Sequence, residues 1–185
     1  MAETEDGKVF YHGTQIAIHK LREPFLDPKF ARHCDEGDPQ EPHVFVTANR
    51  LHAELFSLKV EEAVMIHADR DYRSIIYSQL PKDLRGGWLY RCPEDPGRPF
   101  RQIIYRGYGV DKWVSSERVA VTNPVFIPGL TFLARQGVRI YTLKKGISPE
   151  IWSEMMSKTD NSQLGSTDFY RQQVMIGNLC LANIS

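Results

Sequence analysis

Runs of hydrophobic residues along the chain predict several short strands. β-branched and aromatic residues dominate these runs, and polar, Gly- or Pro-rich segments separate them, as is typical of strands in an antiparallel sheet. The predicted strands cover residues 8–11, 43–48, 64–68, 88–92, 112–127 and 138–143.

Helical spacing of apolar residues is clearest after residue 48. Leu51, Leu55 and Leu58 fall on one face of a predicted helix over 49–63, and Asn49 is a suitable N-cap. A short helix or turn is predicted at 14–23, a short helix at 129–136, and two helices in the tail at 148–159 and 166–182.

Several short strands with few, scattered helices predict an α+β fold instead of a doubly wound parallel sheet. We expect a polar leader at 1–7, one domain at 8–145, and a helical C-terminal extension at 146–185 that packs on the same domain. Residues 24–42 are rich in Pro, Gly and acidic residues, which predicts a surface loop long enough to act as a lid.

Charge is balanced overall, with 23 basic and 23 acidic side chains. Residues 1–80 hold 9 basic against 14 acidic side chains, whereas residues 81–145 hold 12 against 5. The balance excludes bulk attraction to nucleic acid or to an anionic membrane. The basic middle is compatible with a groove for a phosphate-bearing ligand, or with an ordinary solvated face.

Three widely spaced cysteines, Cys34, Cys92 and Cys180, predict neither a disulfide framework nor a zinc site. The N-terminal residues do not resemble a secretory signal, and no run of 18 apolar residues predicts a membrane span. These features favour a cytoplasmic protein without a membrane partner, and export as an effector by another route stays open.

Three groups of residues are candidates for chemistry. Tyr11, His12, Gly13 and Thr14 lie at the end of the first predicted strand, and Glu117 on a later strand offers a carboxylate. The titratable ring and the glycine suit a ligand. The alternatives are a hydrogen-bonded histidine near a strand end and an exposed strand glutamate. Arginines interleaved with aromatics in 84–113 suggest a nucleic-acid surface or a half-buried sheet. The third group is the histidines, five of which precede residue 53, but their spacing matches no metal signature and we expect no metal.

The order of these motifs resembles the ADP-ribosyltransferase superfamily, in particular the His-Tyr-Glu branch of poly-ADP-ribose polymerases and diphtheria-like toxins, and its small microbial and phage members. "YHGT" at 11–14 is similar to the family's first strand, and "VFVTANRLHAELFSL" at 44–58 looks like its strand that leads into a helix. "VSSERVAV" at 114–121 resembles the strand with the catalytic glutamate. The likeness covers roughly residues 8–145.

The resemblance implies a split β-sheet core with short flanking helices and NAD as the substrate. It implies that Glu117 contacts the nicotinamide ribose, that His12 binds the adenosine ribose, and that Gly13 offers its main chain to the carboxamide. The remaining positions implied at the cofactor are Tyr11, Thr14, Phe45, Thr47 and Ser115. ADP-ribose would pass to a macromolecular acceptor, protein or nucleic acid, or to water.

The sequence departs from the family at two positions. Phe45 or Thr47 stands where the branch has its middle tyrosine, and Ser115 stands where arginine-modifying toxins have Glu or Gln. A catalytically silent module that binds ADP-ribose or nucleic acid is therefore an alternative. Two further hypotheses are a tRNA 2′-phosphotransferase of the same fold and a protein-interaction module built on the tail.

Overall fold

The computed structural model describes residues 8–29, 41–60, 65–68, 73–80, 84–103, 112–159 and 166–184. The chain divides into two interleaved units. Unit 1 comprises Met1–Leu58 and Gly86–Ile127, and unit 2 comprises Lys59–Arg85 and Pro128–Ser185. The predicted boundary at 145 does not coincide with these divisions. The predicted leader at 1–7, residues 30–40 of the predicted loop and residues 104–111 of the basic stretch lie outside the described residues.

Strands are numbered along the chain. They are β1 Phe10–Thr14, β2 Phe25–Leu26, β3 Val44–Thr47, β4 Lys59–Val60, β5 Met65–Ala68, β6 Ser74–Tyr77, β7 Leu84–Arg85, β8 Gly87–Cys92, β9 Arg101–Ile103, β10 Lys112–Ser115, β11 Val119–Ala120, β12 Thr122–Ile127, β13 Arg139–Leu143 and β14 Leu179–Leu181. The helices are α1 Arg50–Ser57, α2 Leu130–Arg135, α3 Pro149–Ser157 and α4 Thr167–Met175, with a 3₁₀ turn at Ile18–Lys20.

Unit 1 is built on a six-stranded sheet in the order β12-β8-β1-β3-β10-β9, and every pairing in it is antiparallel. A second ladder joins β2 to β11. Side chains alternate between the two faces of a strand, so every second residue of β1, β3 and β8 lies on the same face of the sheet. Most of the residues on this face pack into an apolar core. This core contains Phe10, Ile18, Leu26, Val44, Val46, Tyr90, Cys92, Phe100, Val119 and Val121.

Helix α1 packs on the opposite face of the sheet. Asn49 caps it, since its side chain accepts a hydrogen bond from the His52 N–H at 3.1 Å. The helix backbone lies so close to β1 that a Cβ at Gly13 would overlap the Ala53 carbonyl and come within 2.7 Å of the Ser57 nitrogen. Gly13 is therefore required by helix packing, a reason that sequence inspection did not supply.

Unit 2 contains a four-stranded sheet in the order β14-β13-β6-β5, in which β13 and β6 run parallel. Helices α3 and α4 supply aromatic side chains to its core. Ser148 caps α3 and Ser166 caps α4, each accepting a hydrogen bond from a backbone N–H three residues later. The core residues are Ile76, Tyr141, Leu143, Trp152, Phe169, Tyr170 and Leu179. A separate two-stranded ladder joins β4 to β7.

The predicted α+β class is confirmed at the level of a mixed, mostly antiparallel protein with few helices. The predicted helix over 166–182 is wrong beyond Met175. Gly177 takes a φ of +82°, which ends the helix, and the chain then pairs as β14 with β13. The C-terminal segment after residue 145 therefore contains a sheet strand, β14, in addition to the helices α3 and α4. Among the described residues, no helix is long and apolar enough to cross a membrane.

Candidate functional site

His12 is held in one orientation near the end of β1. Its Nδ1–H donates to the Phe45 carbonyl at 2.7 Å, which fixes the tautomer because a carbonyl only accepts. Burial of the ring lowers the pKa of His12 below its usual value, the bond to Phe45 opposes this, and the positive charge of Lys29 adds to the lowering. The ring is therefore neutral at pH 7. The residue as a whole is half-buried. Because Nδ1 carries the proton that is donated to Phe45, the other ring nitrogen, Nε2, is a hydrogen-bond acceptor.

Strands β1 and β3 separate beside His12. All five residues of β1 pair with β8, from Phe10↔Cys92 to Thr14↔Trp88. In contrast, β1 and β3 pair only at Tyr11↔Thr47 among the described residues. Beyond Tyr11 the edge of β1 that faces β3 has no ladder partner in the part of the chain described. The His12 ring bridges the two strands at this point, because its Nδ1–H reaches the Phe45 carbonyl.

Glu117 lies in the turn that follows β10. Its backbone N–H donates to the Ser115 hydroxyl oxygen at 3.1 Å, and that hydroxyl donates to the Glu117 carbonyl at 3.2 Å. The carboxylate pairs with Arg98 at 3.3 Å, and its side chain is 59% exposed. The carboxylate is thus positioned by its own turn yet accessible to a ligand.

Arg118 ties the Glu117 turn to the segment around β2. Its guanidinium donates to Asp27 at 2.7 Å and to Glu23 at 3.2 Å, and lies 4.9 Å from the centroid of the Phe25 ring. These partners, Asp27 first, raise the pKa of Arg118 above its usual range. Together with the ladder between β2 and β11, these contacts hold the chain that directly follows Glu117.

Strand β1, which carries His12, and strand β10, which the turn with Glu117 follows, end at the same end of the sheet. β1 and β10 both run antiparallel to β3, so their C-terminal ends meet at one edge. The register Ser115↔Val44 places Ser115 on the face that also carries His12. Two strand spacings, on the order of 10 Å, separate β1 from β10. The structure therefore brings His12, Ser115 and Glu117 into one region of unit 1.

Other predicted site residues point elsewhere. Phe45 and Thr47 project from the α1 face, opposite to His12, so Phe45 contacts His12 through its carbonyl and not through its ring. The Lys112 ammonium lies 4.0 Å from the centroid of the Phe45 ring. Thr47 accepts a hydrogen bond from the Asn49 N–H at 3.0 Å and so shapes the start of α1.

Two more predicted residues have local roles. Tyr11 is half-buried and shares the α1 face with Gly13. The Thr14 hydroxyl accepts from the Ile16 N–H at 3.2 Å, which closes the turn after β1. Tyr11 ends the predicted strand 8–11, whereas Thr14 lies in the part of β1 that extends beyond the prediction.

Three residues at this end of the sheet were not assigned to this site from the sequence. Lys29 is a single basic residue in the predicted loop, and Arg98 and Trp88 were part of the candidate nucleic-acid surface in 84–113. Trp88 is half-buried on the face of His12, two residues before Tyr90, and its ring centroid lies 4.3 Å from that of His19. Only the register of β8 with β1 reveals that this aromatic ring lies next to the site.

The cysteines and histidines form no metal centre in the described parts of the chain, where no three His, Cys, Asp or Glu side chains group suitably. Cys92 is buried, and its burial raises the pKa of the thiol to about 12. Cys180 is exposed, and Cys34 lies outside the described residues.

Comparisons with known proteins assign no family to this geometry. A scan against protein-family models, a search of the curated proteins and a search of the solved structures each found no match. The case for a function therefore rests on the residues and contacts of unit 1.

Proposed function

We propose that the protein is an NAD-consuming ADP-ribosyltransferase-like enzyme, which cleaves the bond between nicotinamide and ribose and transfers ADP-ribose to a macromolecule or to water. The observation that carries the proposal is that β1, with a neutral and oriented His12, and β10, followed by the turn with the exposed carboxylate of Glu117, end at the same end of the sheet. The resemblance of "YHGT" and "VSSERVAV" to that family supports the same proposed activity.

His12 suits the recognition of a ribose. With Nδ1–H donated to Phe45, Nε2 accepts a hydrogen bond from a hydroxyl group. Because the ring is already oriented, little entropy is lost when the ligand binds. The low pKa keeps the acceptor lone pair available at neutral pH.

Glu117 suits the stabilisation of a developing positive charge. When the C1′–N bond breaks, nicotinamide leaves with the electron pair and the ribose becomes oxocarbenium-like. A carboxylate that accepts a hydrogen bond from the ribose 2′-hydroxyl stabilises this state more than the ground state. The acceptor's nucleophilic atom then bonds to C1′ and releases its proton to solvent. Arg98 pairs with Oε2 of Glu117, so Oε1 can accept from the ribose hydroxyl while the pair with Arg98 is kept.

Main-chain groups of β1 suit the carboxamide of nicotinamide. The carboxamide both donates and accepts hydrogen bonds, as do the N–H and C=O groups at a strand edge. β1 has such an edge beyond Tyr11, where its ladder with β3 ends. Gly13 lies at this edge while its missing side chain faces α1. Because Gly13 has no side chain, α1 packs directly against one face of the strand. We expect the strand edge to bind the carboxamide.

The experiment that tests the proposal is nicotinamide release from NAD by the parent and by Glu117→Gln. We expect the variant to lose about 10²–10³-fold in turnover, the scale for one preorganised electrostatic partner. Glu154→Gln is the matched control, since Glu154 is another exposed glutamate in an ion pair, with Lys158 at 2.7 Å, and should keep parental turnover. Equal rates for Glu117→Gln and the parent would remove Glu117 from the mechanism.

A silent ADP-ribose-binding module is the second candidate. It is favoured by the position of Phe45, whose ring lies on the α1 face and so provides no platform beside His12 for nicotinamide. Such a module binds ADP-ribose, and ligand raises its melting temperature, but it releases no nicotinamide. Thermal stabilisation by ADP-ribose without nicotinamide release would decide for this candidate.

A further inference from the structure

Lys29 is fixed beside the candidate site by its backbone. Its N–H donates to the His43 carbonyl at 3.1 Å, and its carbonyl accepts from the His43 N–H at 3.0 Å. His43 directly precedes β3, the strand whose Phe45 carbonyl holds His12. The positive charge of Lys29 is near enough to His12 to contribute to the lowering of its pKa.

The segment that leads to Lys29 is also anchored at the other side of the site. Glu23 and Asp27 bind Arg118, the neighbour of Glu117, and Phe25–Leu26 pairs with β11. The segment from 23 to 29 therefore runs from the Glu117 turn to the strand that orients His12. A lysine at its end is held in place at the border of the site, unlike a lysine on a free loop.

The cations around the site differ in their partners. Arg98 pairs with Glu117, and Arg118 pairs with Asp27 and Glu23. The Lys29 side chain is exposed, and no acidic partner for it occurs within the described ranges of the chain. Its charge is therefore available to a ligand.

We infer that Lys29 binds the diphosphate of the dinucleotide, between the ribose held by His12 and the ribose addressed by Glu117. This inference rests on the proposed function. A neutral histidine and a carboxylate supply no attraction for a diphosphate, so a binding site made of these two groups alone lacks a cation. An ammonium group is a compact, strongly hydrated charge that forms charge-assisted hydrogen bonds with phosphate oxygens.

The test is calorimetric binding of two probes, ADP-ribose and adenosine, to the parent and to three variants. Lys29→Gln should weaken ADP-ribose binding about tenfold and leave adenosine binding unchanged, because only the first probe carries the diphosphate. Lys29→Arg keeps the charge and should bind ADP-ribose within about twofold of the parent. Lys20→Gln, a change at another exposed lysine of unit 1, is the control for overall charge and should match the parent.

The outcomes separate the inference from the proposed function. If the parent binds ADP-ribose and releases nicotinamide but Lys29→Gln binds ADP-ribose equally well, the inference alone fails. Equal losses in Lys29→Gln and Lys20→Gln, or an equal loss of adenosine binding, also overturn it. A parent that binds neither probe and releases no nicotinamide overturns the proposed function, and the inference with it.

Discussion

Units 1 and 2 bury different kinds of side chain. Of the buried polar residues in the described part of the chain, only Ser74 belongs to unit 2. The others belong to unit 1, and they are His43, Thr47, His52, Glu54 and Ser57. The core of unit 2 is instead dominated by aromatic rings such as Trp152 and Tyr170.

This difference agrees with the proposal that the site lies in unit 1. Buried polar and titratable groups lower stability unless they are well partnered, so a fold that keeps several of them has a use for oriented polar groups. In unit 1, β3 contains the buried Thr47 and also orients His12 through the Phe45 carbonyl. Unit 2 follows the simpler rule of packing aromatic side chains in a close-packed core. The following predictions test this contrast, from the largest expected effect to the smallest.

Gly13→Ala should destabilise unit 1 by about 3 kcal/mol or more, because the new methyl group overlaps main-chain atoms of α1 that cannot rotate away. Urea unfolding followed by circular dichroism measures this. The control is Gly97→Ala, where a Cβ meets only the Asp95 carboxylate oxygen at 3.4 Å and should cost under about 0.5 kcal/mol. Similar stabilities of the two variants would show that α1 does not depend on close contact with β1.

His52 should make stability fall on acidification. Burial, followed by the charge of Lys112, lowers the pKa of His52 to about 3 in the folded protein. The unfolded chain titrates near its usual value of about 6.5, so it binds the proton more readily and stability falls from about pH 6.5 towards pH 3. At pH 5 the loss due to His52 is about 2 kcal/mol relative to pH 7.

The measurement is the free energy of unfolding of the parent and of His52→Gln between pH 7 and pH 5. The variant is less stable at pH 7 but should lose less on acidification, because its side chain does not titrate. Parallel curves for the two proteins would contradict the assignment of this proton to His52.

Helix caps should give the smallest effects, of similar size in both units. Asn49 accepts from the His52 N–H at 3.1 Å in unit 1, and Ser148 accepts from the Ile151 N–H at 3.3 Å in unit 2. Alanine at either position should cost about 1 kcal/mol. Hydrogen exchange should show reduced protection of α1 in Asn49→Ala and of α3 in Ser148→Ala. A far larger loss at one cap would mean that its side chain does more than satisfy a helix end.

Local signals in the sequence predicted the elements that depend on neighbouring residues. The cap at Asn49, the start of α3 at Ser148 and the strands around His12 and Val44 follow from residue types a few positions apart. The order of pairing in the sheet does not, because each ladder joins segments tens of residues apart. Strand β6 was also not predicted, although its residues are β-favouring and one of its partners, β5, is close in sequence; its other partner, β13, lies more than 60 residues later.

The candidate site shows the same division. The sequence by itself determined which residue types were present, and so drew attention to His12 and Glu117. Only the tertiary structure decided that Phe45 faces α1, that Arg98 pairs with Glu117, and that Lys29 lies beside β3. Strand alternation is a local property, but the face that meets a helix or a ligand is selected by long-range packing, which no short window of residues encodes.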